Sequence, residues 1–170
     1  MGTFCRLLEE KGLSEFLEII PKLKFDLKFF IIGNGPDKKK IKEISLKLGI
    51  QKKIIFLGFL KQSQIHKELK KIDLFINCSY FEGFPNSVVE ALSAGVPTLA
   101  SQSHGGINEI IKNRNFGCIY KNQDELIKNI TDFSLGIKKF NFTKKETLKH
   151  LQNFSISHSI KNYSKVFKEI

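Results

Sequence analysis

The chain has 170 residues, enough for one compact domain with a real core, and 41% of them are hydrophobic, which excludes disorder throughout. The net charge of +11 rests almost wholly on lysine, with Arg6 and Arg114 the only arginines. Nucleic-acid readers favour arginine's planar fork, so the charge reads as a solvated basic surface, with contact to an anionic membrane face the second reading and no nucleic-acid partner expected.

No apolar run approaches the roughly 20 residues that span a bilayer. The first residues lack the charged-then-apolar layout of a secretory signal, so the expected compartment is the cytoplasm. Cys5, Cys78 and Cys118 are scattered, without metal-ligand spacing, and read as reduced thiols rather than as disulfides or a metal site.

Residues 2–5 read as the tail of a strand and 6–12 as a loop. Leu13, Phe16, Leu17 and Ile20 recur at helical spacing, with Ser14 a candidate cap and Pro21 closing the segment. Residues 27–32 are an apolar run of strand length that ends in Gly33-Asn34-Gly35-Pro36. A helix over 39–48, a strand over 54–57, a short helix over 65–69 and a strand over 72–78 follow. Beyond Gly95 come a strand at 96–100, a loop, a short helix at 107–111 and a strand at 118–120, then helices over 123–130, 143–151 and 157–170. Helices alternating with nearly continuous apolar strands predict an α/β class fold, a doubly wound parallel sheet of the Rossmann-like type. The expected organisation is a single domain over 1–170, with 153–170 a C-terminal helical segment.

The richest stretch is 75–98, an apolar strand that turns through Glu82-Gly83-Phe84-Pro85-Asn86 into a helix ending at Gly95. Such a corner sits at the carboxyl end of a sheet, where open α/β sheets bind their ligands. Ser87-Val88-Val89-Glu90 is a capping-box pattern, which gives Glu90 a purely structural reading. The functional reading has unpaired N–H groups at Asn86 and Ser87 facing a phosphate, Glu90 accepting ribose hydroxyls, and Glu82 accepting hydroxyls of a sugar beyond the phosphates. Gly33-Asn34-Gly35-Pro36 lacks a third glycine and an acidic residue at the usual distance, which argues against a dinucleotide site.

The stretch 82–97 closely resembles the Glu-seven-residues-Glu signature of nucleotide-sugar glycosyltransferases with the GT-B fold, most closely glycosyltransferase family four, the retaining enzymes. Further pieces follow in the family's order: Gly2 with Arg6-Leu7-Leu8 and Lys11-Gly12, although Thr3-Phe4-Cys5 is interposed; Phe30-Ile31-Ile32-Gly33-Asn34-Gly35-Pro36; Ile55-Phe56-Leu57-Gly58; and His104-Gly105-Gly106-Ile107-Asn108-Glu109.

The resemblance covers about residues 2–130 and implies the C-terminal, donor-binding half of a GT-B fold, with the N-terminal acceptor domain absent. It implies that Arg6 and Lys11 hold the donor diphosphate with the Asn86 and Ser87 N–H groups. Glu90 would hold the ribose, and Glu82, in the catalytic position, would orient the transferred sugar with Gly83 and Phe84. The loop at Phe59-Leu60 would pack near the base. His104 reads as a polar loop histidine. No cofactor or metal is required. The substrate would be a nucleotide diphosphate sugar, UDP favoured and GDP admitted. The acceptor would be a glycan or lipid-linked acceptor in bacterial surface polysaccharide synthesis, at the inner face of the plasma membrane. The apolar face of the final helix is expected to be partly exposed. The alternatives are a GT-B sugar-nucleotide epimerase or phosphorylase domain, and a catalytically silent binding module.

Overall fold

The computed structural model describes residues 1–103, 105–111 and 115–167. Six parallel strands run β1 (Gly2–Phe4), β2 (Phe29–Ile32), β3 (Ile54–Gly58), β4 (Phe75–Asn77), β5 (Thr98–Ser101) and β6 (Gly117–Tyr120). Their spatial order is β3-β2-β1-β4-β5-β6. The chain therefore winds outward from β1 in one direction and from β4 in the other. The order reverses between these two strands, and the carboxyl rim there is the sheet's natural ligand crevice.

Helices α1 (Leu13–Leu17), α2 (Lys38–Lys47), α3 (Gln62–Leu69), α4 (Asn86–Ser93), α5 (Ile107–Ile110), α6 (Gln123–Ser134), α7 (Lys144–Leu151) and α8 (Ile156–Val166), with 3-10 turns at Glu9–Lys11, Ile20–Lys22 and Gln152–Phe154, complete the described elements. Successive strand residues feed opposite faces. Ile31, Ile76 and Leu99 join a core with Phe16, Leu17 and Leu126, whereas Ile32, Phe75 and Ala100 pack with Val88, Leu92 and Ile107. Both faces of the sheet are thus dry, which is why its strands read as unbroken apolar runs.

Three expectations are corrected here. α1 is entered through Gly12 rather than capped by Ser14, because Gly12 (φ 62°) must lie so close to β4 that a Cβ on it would meet the Cys78 carbonyl at 2.1 Å. α6 runs to Ser134 instead of stopping at 130, since Phe133 packs on Phe140 with ring centroids 5.9 Å apart. α8 begins at Ile156, capped by Ser155, and 168–170 lie outside the described residues, as does His104. The expected exposure of the last helix is observed: Ile156, Ile160, Tyr163 and Val166 all face solvent. Among the described residues no helix is long and apolar enough to cross a membrane.

Candidate functional site

The rim between β1 and β4 gathers most of the residues singled out above. Arg6 leaves the end of β1 on a loop whose neighbours are pinned to the next strand's loop, with the Leu7 N–H donating to Asn34 O at 3.0 Å. Its side chain is exposed and makes no ion pair among the described residues. Lys11, at the end of the 3-10 turn Glu9–Lys11, crosses the rim to Glu82, its Nζ 3.0 Å from Oε1. The two loops are also joined through the main chain, where the Tyr80 N–H donates to Glu10 O at 2.9 Å.

Glu82 Oε1 receives two more donors from the end of β4, Ser79 Oγ at 2.6 Å and Asn77 Nδ2 at 3.5 Å. Gly83 and Phe84 follow on a loop clasped from the β5 side. The Gly106 N–H donates to Gly83 O at 3.1 Å, and a Cβ on Gly105 would stand 1.8 Å from Glu82 O. Only glycine allows so close an approach there, at φ 113°. Phe84 is braced on its outer side by Phe154, ring centroids 5.7 Å apart.

The capping-box reading of Ser87 and Glu90 is overturned. Pro85 is the N-cap and α4 starts at Asn86, with no side-chain cap. Proline brings its own φ to the helix entry and no N–H that needs an acceptor, so the helix begins two residues early. Glu90 is then too far along the helix to reach back. Instead its Oε2 is buried without any partner. The expected pair of free N–H groups is also halved, because the Asn86 N–H donates to Phe84 O at 2.9 Å. Ser87, the next residue, has no recorded main-chain acceptor among the described residues.

Two thiols flank the site, and both are held protonated. Burial pushes Cys5 up to about 12 and Cys78 well above the ordinary thiol value. Neither is a nucleophile near neutral pH. Among the described residues no group of three or more His, Cys, Asp or Glu is arranged to hold a metal ion. Among the described residues the rim therefore offers a guanidinium without an ion pair, an ammonium shared between Glu82 and, at 3.7 Å, Glu10, a helix start, and the carboxylates of Glu82 and Glu90, each with an oxygen that accepts from no described group. That set suits a polyhydroxylated anion.

Residues 3–149 match the family described as glycosyl transferases group 1. The chain belongs to the group 1 glycosyl transferases. It is 33% identical over 125 residues to the uncharacterized glycosyltransferase MJ1607 of Methanocaldococcus jannaschii, covering 71% of this chain and 32% of that relative. It is 28% identical over 105 residues to the lipopolysaccharide 1,6-galactosyltransferase of Salmonella typhimurium, covering 61% of this chain and 29% of that one. The solved structure of Anabaena HepE in complex with UDP superposes with a TM-score of 0.85 at 20% identity, covering 99% of this chain and 48% of that one. This last likeness is one of fold. The chain thus spans less than a third of these relatives and about half of that structure.

In this group 1 glycosyl transferase chain the rim also holds residues that sequence reasoning passed over. Asn77 and Ser79 lie nearly fully buried beneath Glu82. Ser101 Oγ donates to Ser79 O, and Tyr120 Oη donates to Asn77 O at 3.1 Å. Ser103 Oγ, just after β5, is another buried atom without a partner. The available signal was the polar pair Asn77 and Ser79 at alternate positions in an otherwise apolar run.

Proposed function

We propose that this chain is the donor-binding, C-terminal half of a GT-B, family-four retaining glycosyltransferase, taking a UDP-sugar in preference to a GDP-sugar. The observation that carries the reading is Glu90 Oε2, buried without a partner one turn inside α4 at the sheet's switch point. A carboxylate oxygen sealed off without a hydrogen bond is costly. A turn of the side chain that brings this oxygen to a ribose hydroxyl removes the penalty. Arg6 and Lys11 then neutralise the diphosphate, with the Ser87 N–H adding one donor and the α4 dipole favouring negative charge. Glu82 and the Gly83-Phe84 backbone orient the transferred hexosyl or N-acetylhexosaminyl group.

In this reading the acceptor wall is supplied by a second domain, which the chain's covering 48% of the UDP-bound HepE structure supports. The name of the Salmonella relative points to a bacterial surface polysaccharide as the product. The acceptor is then a glycan or a lipid-linked precursor, met at the inner face of the plasma membrane. There the excess of lysine, +11 overall, attracts anionic lipid.

Calorimetric titration of the chain with UDP, GDP and ADP tests the reading. Saturable heat with UDP, stronger than with GDP, is expected. No heat with any of the three returns the corner to a purely structural role.

A further inference from the structure

Resting on that reading of the rim, we propose that Ser79, assisted by Asn77, is a positioning residue: it ties up Oε1 of Glu82 so that Oε2 alone is presented to a hydroxyl of the transferred sugar. The two oxygens of this carboxylate are in unlike states. Oε1 accepts from Ser79 Oγ at 2.6 Å, from Lys11 Nζ at 3.0 Å and, more distantly, from Asn77 Nδ2 at 3.5 Å. Oε2 accepts from no described protein group, and unlike Glu90 Oε2 it is not among the sealed, unpartnered atoms. An acceptor with one saturated oxygen and one open oxygen is aimed.

The aim is held by the sheet. Ser79 is 2% exposed and Asn77 4%, so neither hydroxyl nor amide has water as an alternative partner. The peptide that carries them is clamped from three sides. Ser101 Oγ donates to Ser79 O, Tyr120 Oη donates to Asn77 O, and Gly12 presses on the Cys78 carbonyl. Asn77 is oriented by its neighbour as well. Turning its amide round would set Oδ1 against the carboxylate, so Nδ2 faces Glu82 and Oδ1 is left buried without a partner. An unpartnered amide oxygen is a penalty, and here it accompanies an oriented Glu82. Lys11 cannot hold that orientation by itself, because in the proposed function its charge is needed by the diphosphate. When Lys11 turns to a phosphate, Ser79 and Asn77 keep Oε1 occupied.

The consequence concerns selectivity between donor and spent nucleotide. UDP lacks the sugar and does not touch Oε2, so Ser79 matters only for ligands that carry one. The test is calorimetry on the full chain with UDP and, in parallel, UDP-glucose, UDP-galactose and UDP-N-acetylglucosamine. The preference for the best of these over UDP is compared in wild type, Ser79→Ala and Ser79→Thr, with thermal melts to check folding. Ser79→Ala is expected to cut that preference roughly five- to tenfold while UDP itself binds within about twofold of wild type, and Ser79→Thr, which keeps the hydroxyl, to restore it. Equal losses for UDP and UDP-sugar in Ser79→Ala, or an unchanged preference, overturn the proposal. A wild-type chain that binds UDP and gains nothing from any sugar overturns it too, leaving the nucleotide reading intact. A wild-type chain that binds no nucleotide at all removes both.

Discussion

Lys11 Nζ and Glu82 Oε1 lie 3.0 Å apart across 71 residues of sequence, the ammonium of one loop on the carboxylate of the loop from the adjoining strand. This pair bridges the point where the winding of the sheet reverses. Both side chains are largely shielded, so the attraction is screened less than at an open surface. Replacing Lys11 by methionine leaves Glu82 partly buried and uncompensated. Denaturant melts should show a loss of roughly 1–2 kcal/mol, discounted for the partial exposure of the pair. UDP affinity should fall at least about tenfold, the size of a hydrogen bond to a charged group, while uridine binding stays level. Equal losses for UDP and uridine would assign Lys11 a purely structural role.

Glu90 tests the ribose assignment. Glu90→Ala is expected to weaken UDP binding by roughly 1–3 kcal/mol, again the range for a charged hydrogen bond. Its thermal midpoint should hold or rise, because the substitution removes a buried oxygen that has no partner. A lowered midpoint with unchanged affinity would return Glu90 to scaffolding.

Gly105→Ala probes the clasp over the sugar-side loop. A Cβ there would stand 1.8 Å from the Glu82 carbonyl at a φ of 113°, so the loop must shift. Urea unfolding should show a loss of roughly 1–3 kcal/mol, typical of a forced rare conformation. The preference for UDP-sugar over UDP should narrow with it, since Glu82 moves with its carbonyl. A variant as stable as wild type would mean that the clasp gives way freely.

The thiol of Cys5 sets an alkaline limit. Burial raises its value from 9.0 to about 12 in the folded chain. Between those two pH values the unfolded chain has released the proton and the folded chain still holds it. Stability from this group is therefore complete below pH 9 and declines as pH rises toward 12. Cys5→Ala should flatten the decline relative to wild type. The lysines titrate in both proteins, so the difference between two stability profiles isolates the thiol. Parallel profiles would show that Cys5 ionises as freely folded as unfolded.

Much of the fold was legible because the inner strands are largely buried on both faces and read as apolar runs, such as Phe29-Phe30-Ile31-Ile32 before Gly33. Glu82 and Glu90 were legible as candidates from the strand–loop–helix corner at 75–98, whereas Arg6 and Lys11 were legible only through the family resemblance. What could not be read depends on where neighbours sit. Ser87-Val88-Val89-Glu90 fits a capping box, yet Pro85 starts the helix early and the pattern goes unused. Ser14 looks like a cap, but contact with Cys78 demands a glycine at the entry two residues before. Ser79 and Asn77 gain their role only when Glu82 folds back over them, and Lys11 arrives from a loop 71 residues away. Local propensity carries no trace of such a meeting.

The position of β1 shapes how this chain must be assembled. Gly2 pairs with Phe30 on one side and Phe75 on the other, so the first of the six strands to be made ends up inside the sheet rather than at its edge. Its second edge stays unpaired until more than 70 further residues have been made, and loop closure over that span is slow. During synthesis β1 to β3 would wait as a half-sheet with one raw edge, the state in which parallel α/β chains are most exposed to wrong pairings.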